Sequence, residues 1–254
     1  MGTLHREART RCRRARHVGL VLVFLLGHGW AVNAVGQAGA PSEPALTMEP
    51  VVVTATVTPM PLGRTTAPVT VISQAQIAAQ QAESVIELLR QVPGVHIDQA
   101  GARGSISSVY IRGSDPNFTA VLIDGIKVND PTNSRGGSFD FSTLSTDTIE
   151  RIEIVRGPLS AVYGSDALGG VINIITQRGS GAPHASVELG VGRFDHHRTL
   201  LQAGGSLDAI DYAVSGSYLD NGRPVEGSRF VGETFHANLG VRPTDAMALR
   251  WLLR

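Results

Sequence analysis

The sequence predicts a small α+β domain followed by a run of antiparallel strands. Three observations carry that expectation. Residues 149–176 read as a strand, a glycine-rich bridge and a second strand. Residues 84–92 read as a short, capped, amphipathic helix. From Ala185 onward, apolar and polar residues alternate over successive segments, the period that leaves one face of a strand apolar.

The α+β part can be justified element by element. Residues 69–72 (Val-Thr-Val-Ile) have strand composition. Ser73 with Gln76, and Ser84 with Glu87, each fit a capping box. The second opens a helix with Val85, Leu88, Leu89 and Val92 on one face, and Pro93-Gly94 ends it. Strands follow at 95–97, 109–112 and 120–123. Asp124-Gly125 is the strongest hairpin signal, joining 120–123 to 126–128. Residues 151–155 alternate charged and aliphatic side chains, so one face can be buried. Residues 171–176 are nearly all apolar and β-branched, which suits a strand covered on both sides. Gly157, Pro158, Gly164, Gly169 and Gly170 shape the bridge between them. The domain ends near Arg178.

The first 40 residues have a different texture. Six arginines precede the apolar run 18–26, and small residues follow around Ala34 and Ala38-Gly39-Ala40. This is the layout of a secretory signal peptide, and the run is too short to span a membrane. Cleavage would remove six of 22 basic and one of 22 acidic residues, leaving 16 and 21, a net of −5. No basic patch then points to nucleic acid. The only cysteine, Cys12, lies in the same segment, so the remainder has no disulfide or thiolate chemistry.

After the α+β domain the alternation takes over. Val187, Leu189 and Val191 oppose Ser186, Glu188 and Gly190. Tyr212, Val214, Gly216 and Tyr218 oppose Ala213, Ser215, Ser217 and Leu219. Phe235, Ala237, Leu239 and Val241 oppose Thr234, His236, Asn238 and Gly240. Residues 198–207 and 247–254 are weaker candidates. Apolar-out, polar-in segments of about ten residues are the signature of transmembrane β-barrels. The sequence stops at Arg254 inside such a segment, after about five strands, whereas single-chain barrels need about eight or more. The expectation is an incomplete barrel and a C-terminally truncated chain.

Arg156-Gly157-Pro158, Tyr163-Gly164 and the Gly-Gly-Val-Ile-Asn-Ile run at 169–174 resemble the end of the plug domain of TonB-dependent outer-membrane receptors. In that family a small plug fills a large transmembrane β-barrel. Patches at 89–95, 110–113 and 122–129 extend the resemblance through the domain. Ser-Ala-Val-Tyr-Gly-Ser-Asp-Ala at 160–167 is most similar to the cobalamin receptors.

The resemblance implies an α+β plug followed by antiparallel transmembrane β-barrel strands. Its divisions would be a signal peptide (1–40), a linker with the TonB box (41–64), the plug (65–180) and the N-terminal part of the barrel (184–254). It implies active transport across the Gram-negative outer membrane, with cobalamin as cargo. Its partners would be TonB with the inner-membrane energising complex, a small-molecule ligand and outer-membrane lipid. A siderophore or other TonB-dependent receptor, a free periplasmic plug-like module and a non-functional remnant stay open.

The implied sites are these. Val51, Val52, Val53, Thr54, Ala55 and Thr56 form an uncharged β-prone segment that can add to another protein's sheet edge. It resembles the TonB box, and should then be extended and loosely held; the alternative is an ordinary first strand. Arg112 and Arg156 sit at strand ends before glycine, where the family's arginines latch the plug to barrel glutamates. Two long Gly/Ser/Thr/Asn-rich loops, 99–108 and 130–139, correspond to ligand-contacting loops, with Arg103, Ser105, Ser107, Asn133, Ser134, Arg135 and Ser138 as contacts. They could equally be plain surface loops. Their sparse charge suits an amide-bearing ligand better than an anionic ferric catecholate. No cofactor is expected; calcium at Asp220 and Glu226, which the resemblance to cobalamin receptors raises, stays an open alternative.

An enzyme is disfavoured. The sequence has no Walker loop, Gly-x-Ser-x-Gly elbow or His-Glu-x-x-His motif. His196 and His197 are adjacent, so on a strand they point to opposite faces.

Overall fold

The computed structural model describes residues 51–52, 54, 60–133, 136–244 and 247–254. The expected signal peptide lies outside them, as do Val53, Ala55, Thr56, Ser134 and Arg135.

Two short strands come first, β1 (Val51–Val52) and β2 (Met60–Pro61), paired antiparallel. Then follow β3 (Val69–Ser73), α1 (Gln74–Gln80) and α2 (Val85–Leu89). The Ser73–Gln76 capping box forms as expected. At α2, Ser84 instead accepts from the Ile86 amide, so this is a simple N-cap and not the predicted box. Next come β4 (Val95–Gln99), β5 (Ser107–Ile111), β6 (Thr119–Ile123) and β7 (Ile126–Lys127). The domain closes with β8 (Ile149–Arg156), α3 (Ser160–Tyr163) and β9 (Gly170–Thr176).

A mixed sheet in the order β3-β8-β9-β6-β7 is the backbone of this domain, with β6 and β9 parallel. The β4–β5 hairpin stands apart as a second sheet. Asp124 and Gly125 both have positive φ, +51° and +83°, the geometry of the expected tight turn. Ile77, Leu88, Leu89, Ile111, Phe141, Ile152, Ile154, Ile172 and Ile174 are buried together on one face of the sheet. Burying each such side chain stabilises the fold by about 1.5–3 kcal/mol. Ala120, Leu122, Ala167 and Val171 pack on the other face, with Leu159 and Tyr163 beside them. All seven residues of β9 are buried, as its composition predicts.

β8 departs from expectation. Its alternation suggested one solvated face, yet Glu153 is 0 % exposed. Both faces of the strand are covered, and the carboxylate lies under Thr54.

The remaining strands form one antiparallel meander, β10-β11-β12-β13-β14. They are β10 (His184–Val191), β11 (His197–Leu207), β12 (Ile210–Asp220), β13 (Val231–Thr244) and β14 (Met247–Leu253). Val187, Leu189, Leu201, Val214, Phe235, Leu239 and Trp251 are exposed on one face. Asp211, Ser215, His236 and Asn238 are buried on the other. The period-two alternation therefore sets which face meets the α+β domain and which can meet lipid. Among the described residues no helix is long and apolar enough to cross a membrane.

Candidate coupling segment and ligand loops

Thr54, in the predicted TonB box, is firmly held. It is 0 % exposed. Its amide and hydroxyl both donate to Glu153 Oε2, at 3.0 and 2.6 Å. Asn173 Nδ2 donates to its Oγ1 at 3.0 Å, and the Tyr163 hydroxyl donates to its carbonyl at 3.2 Å. Glu153 Oε1 in turn accepts from Arg151 Nε at 3.0 Å. Asn173 is oriented through its own carbonyl, which accepts the Gly125 amide of the hairpin turn. Burial, and then the charge of Glu153, push the Tyr163 phenol above its ordinary pKa, so it stays a donor. Charged hydrogen bonds in a dry site are the strong kind. The expectation of a loosely held segment is thus corrected at Thr54, while Val51 and Val52 are extended and paired with β2. Val53, Ala55 and Thr56 lie outside the described residues.

Of the two expected latch arginines, Arg156 is bonded within the α+β domain, whereas the Arg112 side chain is exposed. Arg156 donates to the Pro93 carbonyl at 2.7 Å and to Thr70 Oγ1 at 3.0 Å, tying the α2–β4 turn to β3. Arg112 falls just past β5, not within a strand, with φ +53° and its amide on the Gly94 carbonyl. Among the described residues neither pairs with a carboxylate, so the strands present do not supply the expected glutamates.

The meander reaches the plug through other residues. Arg198 of β11 bridges Asp147 of the plug and Glu188 of β10. Gln202 donates to the Asp147 carbonyl at 2.9 Å. His196 Nε2 lies 3.2 Å from Glu83 Oε1. Asn238 donates to Thr176 Oγ1 and to the Gln177 carbonyl. Sequence reasoning missed these residues; the one available signal was polar character on the inward face of alternating strands.

The predicted ligand loops are largely occupied with their own architecture. The first is shorter than expected, because β4 and β5 extend into it and leave a 100–106 turn. Ser107 therefore belongs to a strand and is fully buried. Its amide and hydroxyl donate to Asp140 Oδ1, and its Oγ accepts from Phe141. As placed, it is a structural residue rather than a ligand contact. Arg103 donates to Glu83 Oε2 at 2.7 Å and to the Glu83 carbonyl at 2.9 Å. Ser105 is half-buried in the turn. In the second loop, Asn133 donates to the Ser138 carbonyl at 3.1 Å. The buried Ser138 hydroxyl has no partner among the described residues. Ser134 and Arg135 lie outside them. Asp130 is held below the ordinary carboxylate range by the Thr132 hydroxyl and amide.

The calcium expectation finds no assembled site. Asp220 is engaged by Arg229 through Nε (3.2 Å) and a terminal nitrogen (2.6 Å). Glu226 is exposed in the loop beyond. Among the described residues no group of three acidic, His or Cys side chains could hold a metal ion.

Residues 61–171 match the family model for the TonB-dependent Receptor Plug Domain, so this stretch is a plug domain, and the antiparallel meander follows it. Over 146 residues it is 41 % identical to the vitamin B12 transporter BtuB of Vibrio vulnificus, a match covering 58 % of this chain and 23 % of that protein. The outer-membrane pyoverdine receptor FpvA of Pseudomonas aeruginosa superposes with a TM-score of 0.69 at 20 % identity, over 80 % of this chain and 29 % of that one. The siderophore receptor PirA of Acinetobacter baumannii does so with a TM-score of 0.55 at 26 % identity, over 70 % and 29 %. The chain thus spans less than a third of each of these relatives.

Proposed function

We propose that this chain is the plug and first barrel strands of a TonB-dependent outer-membrane receptor that takes up cobalamin. The observation that carries the reading is the 41 % identity to a vitamin B12 transporter. The sparsely charged loops 100–106 and 130–139 agree with it, since a bulky amide-bearing ligand needs neutral donors and acceptors more than cations. The plug holds Thr54 until a periplasmic partner takes the segment, by strand addition, as an edge for its own sheet. Pulling on that strand then transmits work to the plug.

A second reading takes a ferric siderophore as cargo. It is favoured by the 26 % identity to PirA, a siderophore receptor. Equilibrium binding separates the two. Outer membranes carrying the complete reading frame are titrated with labelled cyanocobalamin and with labelled ferric siderophores. Saturable, high-affinity cyanocobalamin binding supports the first reading. Binding of a ferric siderophore alone replaces it with the second.

A further inference from the structure

The 100–106 turn of the plug is gripped from outside by the loop between β12 and β13. That loop is braced at its base. Asp220 takes both Arg229 nitrogens and the Gly222 amide at 3.0 Å. Asn221 and Phe230 bond each other twice, Asn221 amide to Phe230 carbonyl at 3.0 Å and Phe230 amide to Asn221 Oδ1 at 2.6 Å. The Arg223 amide donates to the Phe194 carbonyl at 2.9 Å, fastening the loop to the neighbouring 192–196 turn. Phe230 therefore leaves a rigid platform.

Its ring lies directly on Gly104. A Cβ built on Gly104 would fall 2.4 Å from Phe230 Cδ2, and φ there is +84°. Only glycine meets both conditions. The same ring lies under the Arg103 guanidinium, 5.7 Å from the ring centroid. That guanidinium is fixed from behind by the side chain and carbonyl of Glu83, whose other oxygen faces His196. A planar cation can stack on an aromatic face while its edge bonds a carboxylate.

We propose that Phe230 is a positioning residue: it clamps the 100–106 turn of the plug to the barrel wall through Gly104 and Arg103. The plug's ligand-facing turn is thereby ordered by a barrel loop before any ligand arrives. Arg103 serves that clamp. Only the consequence for ligand binding rests on the receptor reading above; the clamp itself does not.

The test uses the complete receptor in outer-membrane preparations, with a nitroxide on Ala102→Cys at the exposed tip of the turn. In the wild-type background the label is immobilised. Phe230→Ala shortens its correlation time several-fold, Phe230→Tyr restores it, and Phe230→Leu falls between because it keeps bulk but loses the ring face. Gly104→Ala loosens the turn equally from the plug side. It decides the matter if Phe230→Ala loses the heat-modifiable migration of a folded barrel. Unchanged line shapes in the variant that folds overturn the clamp. Cyanocobalamin binding is measured on the same membranes. If wild type does not bind it, the cobalamin reading fails, and the line shapes still judge the clamp.

Discussion

Thr54 and Glu153 stand 99 residues apart in sequence, yet Thr54 gives Glu153 Oε2 both its amide and its hydroxyl proton. The carboxylate is buried and held from its other side by Arg151. The segment proposed to pair with a periplasmic partner is thus tied at Thr54 to the central sheet of the plug. On the proposed reading, partner binding competes with that tie.

Weakening the tie should favour the partner. Glu153→Gln keeps the shape and removes the charge, and a hydrogen bond to a charged group contributes about 1.5–3 kcal/mol. Losing part of that raises the population of the released segment, and with it the apparent affinity for the TonB periplasmic domain, by ~5–10-fold. Anisotropy titration of the purified receptor measures this. Affinity equal to or below wild type, in a variant with unchanged thermal unfolding, argues that the tie does not gate coupling.

Backbone geometry in the same segment gives a separate expectation. Val53→Pro removes one amide donor and fixes φ, which spoils strand addition. In the complete receptor, ligand binding should stay near wild type while TonB-dependent uptake is abolished. Val53→Ala should do much less, because the main chain does the pairing. Normal transport by Val53→Pro would move the coupling site elsewhere in the 45–64 linker.

Asp140 carries a pH-dependent part of plug stability. Burial disfavours its charge, but bonds from Ser142 and Ser107 outweigh that and hold the carboxyl below the ordinary range. Its folded pKa is depressed below an unfolded value of about 3.9. The contribution is therefore complete above that value and lost as pH falls through the folded pKa. Asp140→Asn should destabilise the plug at neutral pH by about 1–3 kcal/mol and flatten the stability loss below about pH 4. Ser107→Ala should destabilise it as well. Urea melts at neutral and acid pH read both, and equal acid sensitivity in wild type and Asp140→Asn would rule out this source.

Much of this arrangement was legible in the residues. The order of strands and helices followed from period and punctuation: a capping box at Ser73, Pro93-Gly94 after α2, Asp124-Gly125 at a tight turn. The meander followed from alternation alone, which in β11, β12 and β13 leaves buried residues among exposed ones. Three things were not legible, each because a distant group decides it. Glu153 looked like a solvated strand residue until Thr54 covered it. Ser107 looked like a loop serine until β5 lengthened and Asp140 reached it. Arg156 gave no local sign that its terminal nitrogens would reach Pro93 and Thr70. Pairings of 33, 63 and 99 positions leave no local mark on the sequence.

The plug–wall seam gives a further expectation. Arg198 bridges Asp147 and Glu188, so removing it leaves the buried Asp147 carboxylate without that cation. Breaking a buried pair from one side costs about 3–5 kcal/mol, and less where water reaches the site. Arg198→Ala should lower the unfolding temperature of the plug within the receptor, and Arg198→Lys should recover part of the loss. Calorimetry of the receptor in detergent reads this, and an unchanged transition would show that the seam is not held by charge.

Uptake of radiolabelled cyanocobalamin tests the proposed energised transport through this plug most directly. Cells carrying the complete reading frame, and lacking any other cobalamin receptor, are compared with and without TonB. Accumulation should be lost without TonB while surface binding remains. Accumulation of a ferric siderophore but no cobalamin, or cobalamin accumulation that is the same without TonB, would contradict it.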